Sequence, residues 1–245
     1  QTVSRVFIHQ QWLWERAIGR PLSETEQDEL NELAVLMRER KVLLSGRTLW
    51  LGGTEVAQRR EASMFNCSFA YARTVSDLVD IMWLLLQGCG VGSIPQRGVL
   101  NGFAQRLKVE VIRSKRCKRG GRAKNRETVY TETVKGGNGA TRRVWKITVG
   151  DSAEAWAKAF GKLLAGKHHA DVLILDFSQI RPGGQRLKGY GWISSGDTDI
   201  SVAMLGIANI MNERNGLLLS AMDILDIINH MGTCLSSRRS AEIML

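Results

Sequence analysis

Cys67 is the residue in this sequence with the most chemistry open to it. It lies in the short apolar run Met64-Phe-Asn-Cys-Ser-Phe-Ala70, between Asn66 and Ser68. In isolation, a cysteine in such a run is more often a small buried core residue than a reagent. A redox role needs a second thiol within bonding distance, and the spacings to Cys89, Cys117 and Cys234 do not decide that. Gly88-Cys-Gly-Val-Gly-Ser93 follows an apolar helix pattern. Its glycines either close that helix in the left-handed conformation or expose backbone amides to a phosphate or base. They are not a dinucleotide fingerprint, because they follow a helix instead of leading from a strand into one.

Two further segments carry cations. Ile180-Arg-Pro-Gly-Gly-Gln-Arg-Leu-Lys-Gly-Tyr-Gly191 begins just past the strongest strand pattern in the chain. In open α/β sheets, ligands collect at the carboxyl ends of strands. Arg181, Arg186 and Lys188 there are either solvated or aimed at an anion. Ser236-Ser-Arg-Arg-Ser240 offers hydroxyls and two guanidiniums, whose forked donors match phosphate oxygens; it reads equally as a surface turn. His9, His168, His169 and His230 show no metal-ligand spacing with the cysteines, and there is no Cys-x-x-Cys. No metal site is expected, and no Ser/His/Asp arrangement emerges.

The elements that must position these residues follow from periodicity. Ser23 and Glu26 form a capping-box pattern ahead of Leu30, Leu33 and Met37, predicting a helix over 24–40. Residues 45–53 read as a short apolar segment between glycine turns. Ser76 is a candidate cap for an apolar helix through Leu78, Ile81, Met82, Leu85 and Leu86. Leu107, Val109 and Val111 alternate as in a half-buried strand. Residues 128–134 and 144–149 flank a glycine-rich loop and predict a hairpin. Asp151-Ser152 opens an amphipathic helix ending near Gly166. Val172–Leu175 reads as a strand covered on both faces, residues 176–196 as loop, and 202–213 and 222–231 as helices, the second with Ser220 as a candidate cap. The last ten residues run from a polar loop into an apolar stretch that resembles an interrupted strand. Strands alternating with helices predict a parallel α/β architecture. The expected divisions are 1–95 (helical segment and first strands), 96–150 (a β-rich basic insertion) and 151–245.

Charge and composition narrow the function classes. The 245 residues carry a net charge of +10, but Arg113 to Arg126 hold eight Lys/Arg and no acid. Without those eight, 26 basic face 24 acidic residues. The basicity is one local segment, expected to be exposed and mobile, whereas a nucleic-acid binder spreads charge over several elements. No apolar run approaches the ~20 residues of a membrane helix. The first residues lack a charged n-region with an apolar core, so no signal peptide is expected. Four scattered cysteines point to reduced thiols and a cytoplasmic setting.

The order of the motifs says more than any one of them. Ser45-Gly-Arg-Thr-Leu-Trp50, Phe65-Asn-Cys-Ser-Phe69 and the helix into Gly88-Cys-Gly-Val-Gly92 resemble the ribonucleotide reductases. Asp176-Phe-Ser-Gln-Ile-Arg-Pro-Gly-Gly-Gln-Arg-Leu-Lys-Gly189 and Arg238-Arg-Ser-Ala-Glu-Ile243 look like that family too, in its order. The nearest type is the adenosylcobalamin-dependent (class II) reductase, in its monomeric triphosphate-reducing branch. The resemblance implies the first half of a ten-stranded α/β barrel with a β-rich insertion.

By resemblance, Cys67 is the barrel-strand thiol that reduces the substrate 2′ position and then pairs with a cysteine from the second half. Asn66, Ser68, Gly88, Gly90, Gly92 and Ser93 would lie by the substrate ribose and phosphates. Arg181, Arg186 and Lys188 fall in the first specificity loop, and Ser236, Ser237, Arg238 and Arg239 in the second. The implied cofactors are adenosylcobalamin, a dNTP effector and an external dithiol reductant. The implied partners are a ribonucleotide substrate, a thioredoxin-like protein and a C-terminal reductase polypeptide.

Three departures stand out: Leu235-Ser-Ser237 replaces Gly-Gly-Val or Asn-Val before the Arg-Arg pair, Trp192 stands where small residues are usual, and the finger loop with the radical cysteine is not in these 245 residues. The expectation is the N-terminal part of a split or interrupted reductase, inactive alone, whose unfinished strand edges make the isolated chain self-associate or need its partner. The rivals are a noncatalytic nucleotide-binding protein and, ranked last, a nucleic-acid binder using residues 113–126.

Overall fold

Residues 1–114, 120–134, 139–187 and 193–235 are described by the computed structural model, and the chain divides into two units, Gln1–Asn66 and Cys67–Leu245.

The first unit is helical. Helix α1 (Thr2–Ile18) buries Val6 and His9 and ends at Gly19, whose φ of 73° is left-handed. The sequence reading missed it because Gln1 supplies no side-chain cap to mark its start. Helix α2 (Glu24–Arg38) begins at the expected reciprocal cap between Ser23 and Glu26. It stops two residues short of the expected end, where Arg40 turns to φ 61°. Residues 46–51, expected to be a non-helical apolar segment, form helix α3 (Gly46–Leu51), because Ser45 accepts a hydrogen bond from the Thr48 amide and starts a turn. A short helix α4 (Glu55–Arg59) and a 3-10 turn (Glu61–Met64) follow. Buried Arg47 ties α3 to that turn by donating from Nη1 to the Ser63 carbonyl at 2.7 Å.

The second unit opens with strand β1 (Cys67–Ala72), helix α5 (Val75–Leu86) and strand β2 (Gly90–Pro95), and the two strands pair in parallel. The cap of α5 is Thr74, not Ser76, because Thr74 and Asp77 exchange the two hydrogen bonds of a capping box. At the other end Gly88 donates to the Leu85 carbonyl and Cys89 to that of Leu84, with Gly88 at φ 79°. These are the two bonds of a Schellman ending. It reverses the chain so tightly that residues 90–95 are strand, where the sequence suggested only a glycine turn.

Four more strands form a second sheet: β3 (Lys108–Ile112), β4 (Arg126–Thr133), β5 (Thr141–Thr148) and β6 (Val172–Asp176), in the order β3-β6-β5-β4. β6 is parallel to both β3 and β5, while β4 and β5 form the expected antiparallel hairpin. Alternation puts Trp145, Ile147, Leu173 and Leu175 on one face, within the main core that also contains the apolar sides of α5, α6 (Ala153–Ala165), α7 (Thr198–Glu213) and α8 (Ala221–Gly232). The opposite face holds a small cluster of Val144, Val172 and Ile174. On that face Arg142 pairs with Glu110 and Glu132 at 3.0 and 2.6 Å, and Lys146 with Asp176 at 2.6 Å. Every residue of β6 is buried, as its continuous apolar pattern predicted. Helices α6 and α8 start at Ser152 and Ser220, each accepting from the third helical amide. No helix among the described residues is long and apolar enough to cross a membrane.

Candidate functional site

Strand alternation sorts β1 into two unlike faces. Ser68, Ala70 and Ala72 point one way, and Ala72 is completely buried. Cys67, Phe69 and Tyr71 point the other way and are exposed. The reading of Cys67 as a buried core cysteine is therefore overturned. The small side chains face the core and the large ones do not, because α5 packs against this strand pair and Ala70 lies against the core.

The parallel register then decides what stands beside the thiol. Cys67 pairs with Gly90, Phe69 with Gly92 and Tyr71 with Ile94. Paired residues share a face with strands about 4.8 Å apart, so the neighbouring strand raises no side chain over Cys67 or Phe69. The face is a thiol and two aromatic rings beside a glycine floor, closed at one end by Ile94. Phe69 and Tyr71 meet edge to face at 5.5 Å, and the Arg73 guanidinium lies 4.5 Å from the Tyr71 ring centre. These aromatics escaped the sequence reading, although the two-residue period of a strand carrying Cys67 was the signal that could have found them.

The other substrate-side candidates fall differently. Gly90 and Gly92 flank the thiol on its own face, and Gly88 is spent on the helix ending. Ser68 and Ser93 lie on the opposite face. The Ser68 hydroxyl donates to the Gly90 carbonyl at 3.4 Å, and Ser93 is buried with no hydrogen-bond partner for its hydroxyl among the described residues. Asn66 is exposed and ends the first unit.

Thiol environments differ sharply. Burial pushes the Cys234 thiol well above its ordinary range, with the Asp199 charge adding to the effect. Cys89 is also buried. Neither Cys67 nor Cys89 is in a disulfide. Cys117 lies outside the described residues. Among the described residues no group of three or more His, Cys, Asp and Glu could hold a metal ion.

The first cation-bearing loop grows from the carboxyl end of β6. Asp176 there is buried; burial opposes its ionisation, but Lys146 and the Ser178 amide outweigh that and hold its carboxyl below the usual value. Arg181 donates from Nε to both oxygens of Asp151, at 3.0 and 2.9 Å, and from its amide to the same carboxylate at 3.3 Å. Its guanidinium thus pins the loop to the start of α6. Beyond it the chain doubles back. Gly184 donates to the Ser194 carbonyl, Ser194 to that of Gln185, and exposed Arg186 bridges to Ile193. The Ser195 hydroxyl reaches the Cys234 carbonyl at 2.9 Å, tying this stem to the approach of the second loop. Lys188, Ser236, Ser237, Arg238 and Arg239 lie outside the described residues, as does the expected terminal strand.

The basic segment is anchored at both described ends. Arg113 donates to Asp197, Ser201 and Thr198 at 2.9, 2.6 and 2.8 Å, clamping the start of α7. The Gly121 amide donates to the Gln179 carbonyl, and that of Arg122 to the Gln179 side chain.

This geometry can be set beside known proteins. No family model matches the chain. It is 27% identical to the adenosylcobalamin-dependent ribonucleoside-triphosphate reductase of Lactobacillus helveticus over 251 residues, covering 89% of this chain and 34% of that one. It is 29% identical to the same-named enzyme of Lactobacillus delbrueckii subsp. bulgaricus, covering all of this chain and 37% of that one. A crystal structure of a B12-dependent (class II) ribonucleotide reductase superposes with a TM-score of 0.72 at 26% identity. That match covers 95% of this chain and 36% of the other.

The chain resembles the class II ribonucleotide reductases. It spans about a third of the length of the reductases it matches, and that partial coverage fits an N-terminal portion. The likeness extends to the fold, so the α/β elements described here correspond to part of an α/β barrel enzyme.

Proposed function

We propose that this chain forms the N-terminal part of a ribonucleotide reductase and presents Cys67 to the sugar of a bound ribonucleotide. The observation that carries the reading is the exposed thiol on a glycine-floored strand face. A reducing thiol must reach a substrate carbon, and an open floor lets a ribose approach within contact distance. The reaction exchanges the 2′ hydroxyl for hydrogen. Two thiols supply two electrons and two protons, water leaves, and a disulfide remains. Cys67 is one of those thiols; the second, and the thiyl radical that removes the 3′ hydrogen, come from residues beyond these 245.

Adenosylcobalamin, named for the relatives, would generate that radical when bound. Among the described residues, the face around Cys67 bears a thiol, two aromatic rings, Ile94 and the Arg73 guanidinium, and no imidazole, the commonest metal ligand. It fits a sugar-facing thiol and not a ligand to cobalt. The dNTP effector belongs with the loop at 180–196 and residues 235–240. Arg181 acts there as a strut, leaving Arg186, exposed on the stem, to meet an anion. An external dithiol, such as a thioredoxin-like protein, reduces that disulfide, returning the two enzyme thiols and itself becoming oxidised, and the divisions 1–95, 96–150 and 151–245 are the proposed domain scheme.

The test is complementation. The chain is mixed with a polypeptide carrying the remaining two thirds of a class II reductase, adenosylcobalamin, a ribonucleoside triphosphate and a dithiol. Deoxyribonucleotide formation supports the reading, and its absence under every dNTP effector overturns it. Cys67→Ser should abolish multiple turnover; full turnover by that variant would remove Cys67 from the reaction.

A further inference from the structure

The thiol face carries more than the chemistry just assigned. Phe69 and Tyr71 are 57% and 49% exposed, on the same side of the strand as Cys67. Large aromatic rings left bare beside a reactive group mark a contact surface. Phe69 lies two residues from Cys67, one strand repeat of about 7 Å. Its register partner is Gly92, so no β2 side chain stands directly opposite its ring, and the nearest on that face is Ile94, one repeat along. Tyr71 meets it edge-on, and Arg73 over Tyr71 gives that second ring a partner of its own. The Phe69 ring is thus propped from one side and open on the other.

In a ribonucleotide the base is attached to the carbon next to C2′. A sugar placed with C2′ at the Cys67 sulfur therefore carries its base within about one strand repeat of that sulfur. Along this face the flat apolar surface at that distance is Phe69. We infer that Phe69 is a positioning residue: its ring stacks on the nucleobase of the ribonucleotide and so fixes where the sugar sits over Cys67, with Tyr71 and Arg73 holding the ring in place. This rests on the reading of Cys67 as the sugar-facing thiol. Every base has a π-face, so the contact tightens binding of all four ribonucleotides and leaves base choice to the specificity loops.

The test uses the full chain in a Cys117→Ser background, a thiol-alkylating reagent, mass-spectrometric readout at Cys67, and ATP, CTP or ribose 5-phosphate as protectant. In the parent chain both nucleotides should slow alkylation of Cys67, and ribose 5-phosphate should protect far less well. Phe69→Leu keeps apolar bulk but removes the π-face, and it should raise the nucleotide concentration for half-protection by about tenfold. Phe69→Tyr should restore it. Alkylation without nucleotide should be alike in all three chains, and so should their melting temperatures. If Phe69→Leu is protected as well as the parent, stacking is wrong while the sugar-facing thiol stands. If the parent itself gains no protection from either nucleotide, the sugar-facing reading falls and the stacking role falls with it.

Discussion

The two sheets of the second unit both contain parallel strand pairs and are finished very differently. In the four-stranded sheet, β6 is buried on both faces. One face lies in the main core, and the other is crossed by the pairs Glu110–Arg142–Glu132 and Lys146–Asp176. In β1–β2, one face packs on α5 while the other leaves Phe69, Tyr71 and Ile94 bare around Cys67. Parallel strands are normally covered on both sides. The finished sheet therefore reads as scaffold, and the bare one as the surface that meets substrate or the rest of an enzyme. Substitutions in the two sheets should separate stability from function cleanly.

The largest effect belongs to the finished sheet. Trp145 is fully buried, packs edge-on against Phe103 at 6.3 Å, and donates its indole N–H to Glu127 at 3.0 Å. Trp145→Ala should cost about 3–5 kcal/mol, measured by urea unfolding, and a loss under about 1 kcal/mol would contradict this packing. Next comes the strut under the first loop. Asp151→Ala strands Arg181, whose side chain is only 25% exposed, and removes its hydrogen bonds. A loss of about 2 kcal/mol is expected. Arg186→Ala, on the exposed stem, should leave stability unchanged and weaken dNTP binding instead.

The same sheet sets a pH dependence. Asp176 ionises more readily folded than unfolded, because Lys146 and Ser178 outweigh the burial penalty. A depressed folded value means the carboxylate contributes stability above the unfolded value, near 3.8. That contribution is lost as pH falls through the folded value. Acid titration of unfolding should therefore show a loss below about pH 4 that Asp176→Asn lacks. An identical acid limb in the variant would place the linkage elsewhere.

Much of the scaffold was legible because its signals are local. Ser23, Ser152 and Ser220 each announce a helix within four residues, and the continuous run Val172–Leu175 announces a doubly covered strand. The candidate site was harder to read. β2 contains two glycines, which weaken any strand pattern, and its ladder partner β1 lies some twenty residues earlier, outside any local window. Cys67, Phe69 and Tyr71 break the rule that large apolar residues face inward, so pattern alone buries them. Motif order pointed to Cys67, but its exposure came from the parallel register. Arg181 illustrates the reverse case: a cation in a glycine-rich loop looked free for a ligand, while its partner Asp151 sits thirty residues earlier.

The smallest effect is the sharpest check on the contrast. Phe69→Ala removes as large an apolar group as many core substitutions do, yet its ring is more than half exposed and lies on the bare face. If that face is a working surface and not part of the folded core, unfolding free energy should change by no more than about 0.5 kcal/mol. Alkylation should agree. Among Cys67, Cys89 and Cys234, one site should react fast in the folded chain, and the two buried thiols only as the unit opens. A destabilisation by Phe69→Ala comparable to that of Trp145→Ala, or slow labelling at Cys67, would mean the β1–β2 face is covered in solution. The distinction between scaffold and working surface would then fail at the residue on which it depends.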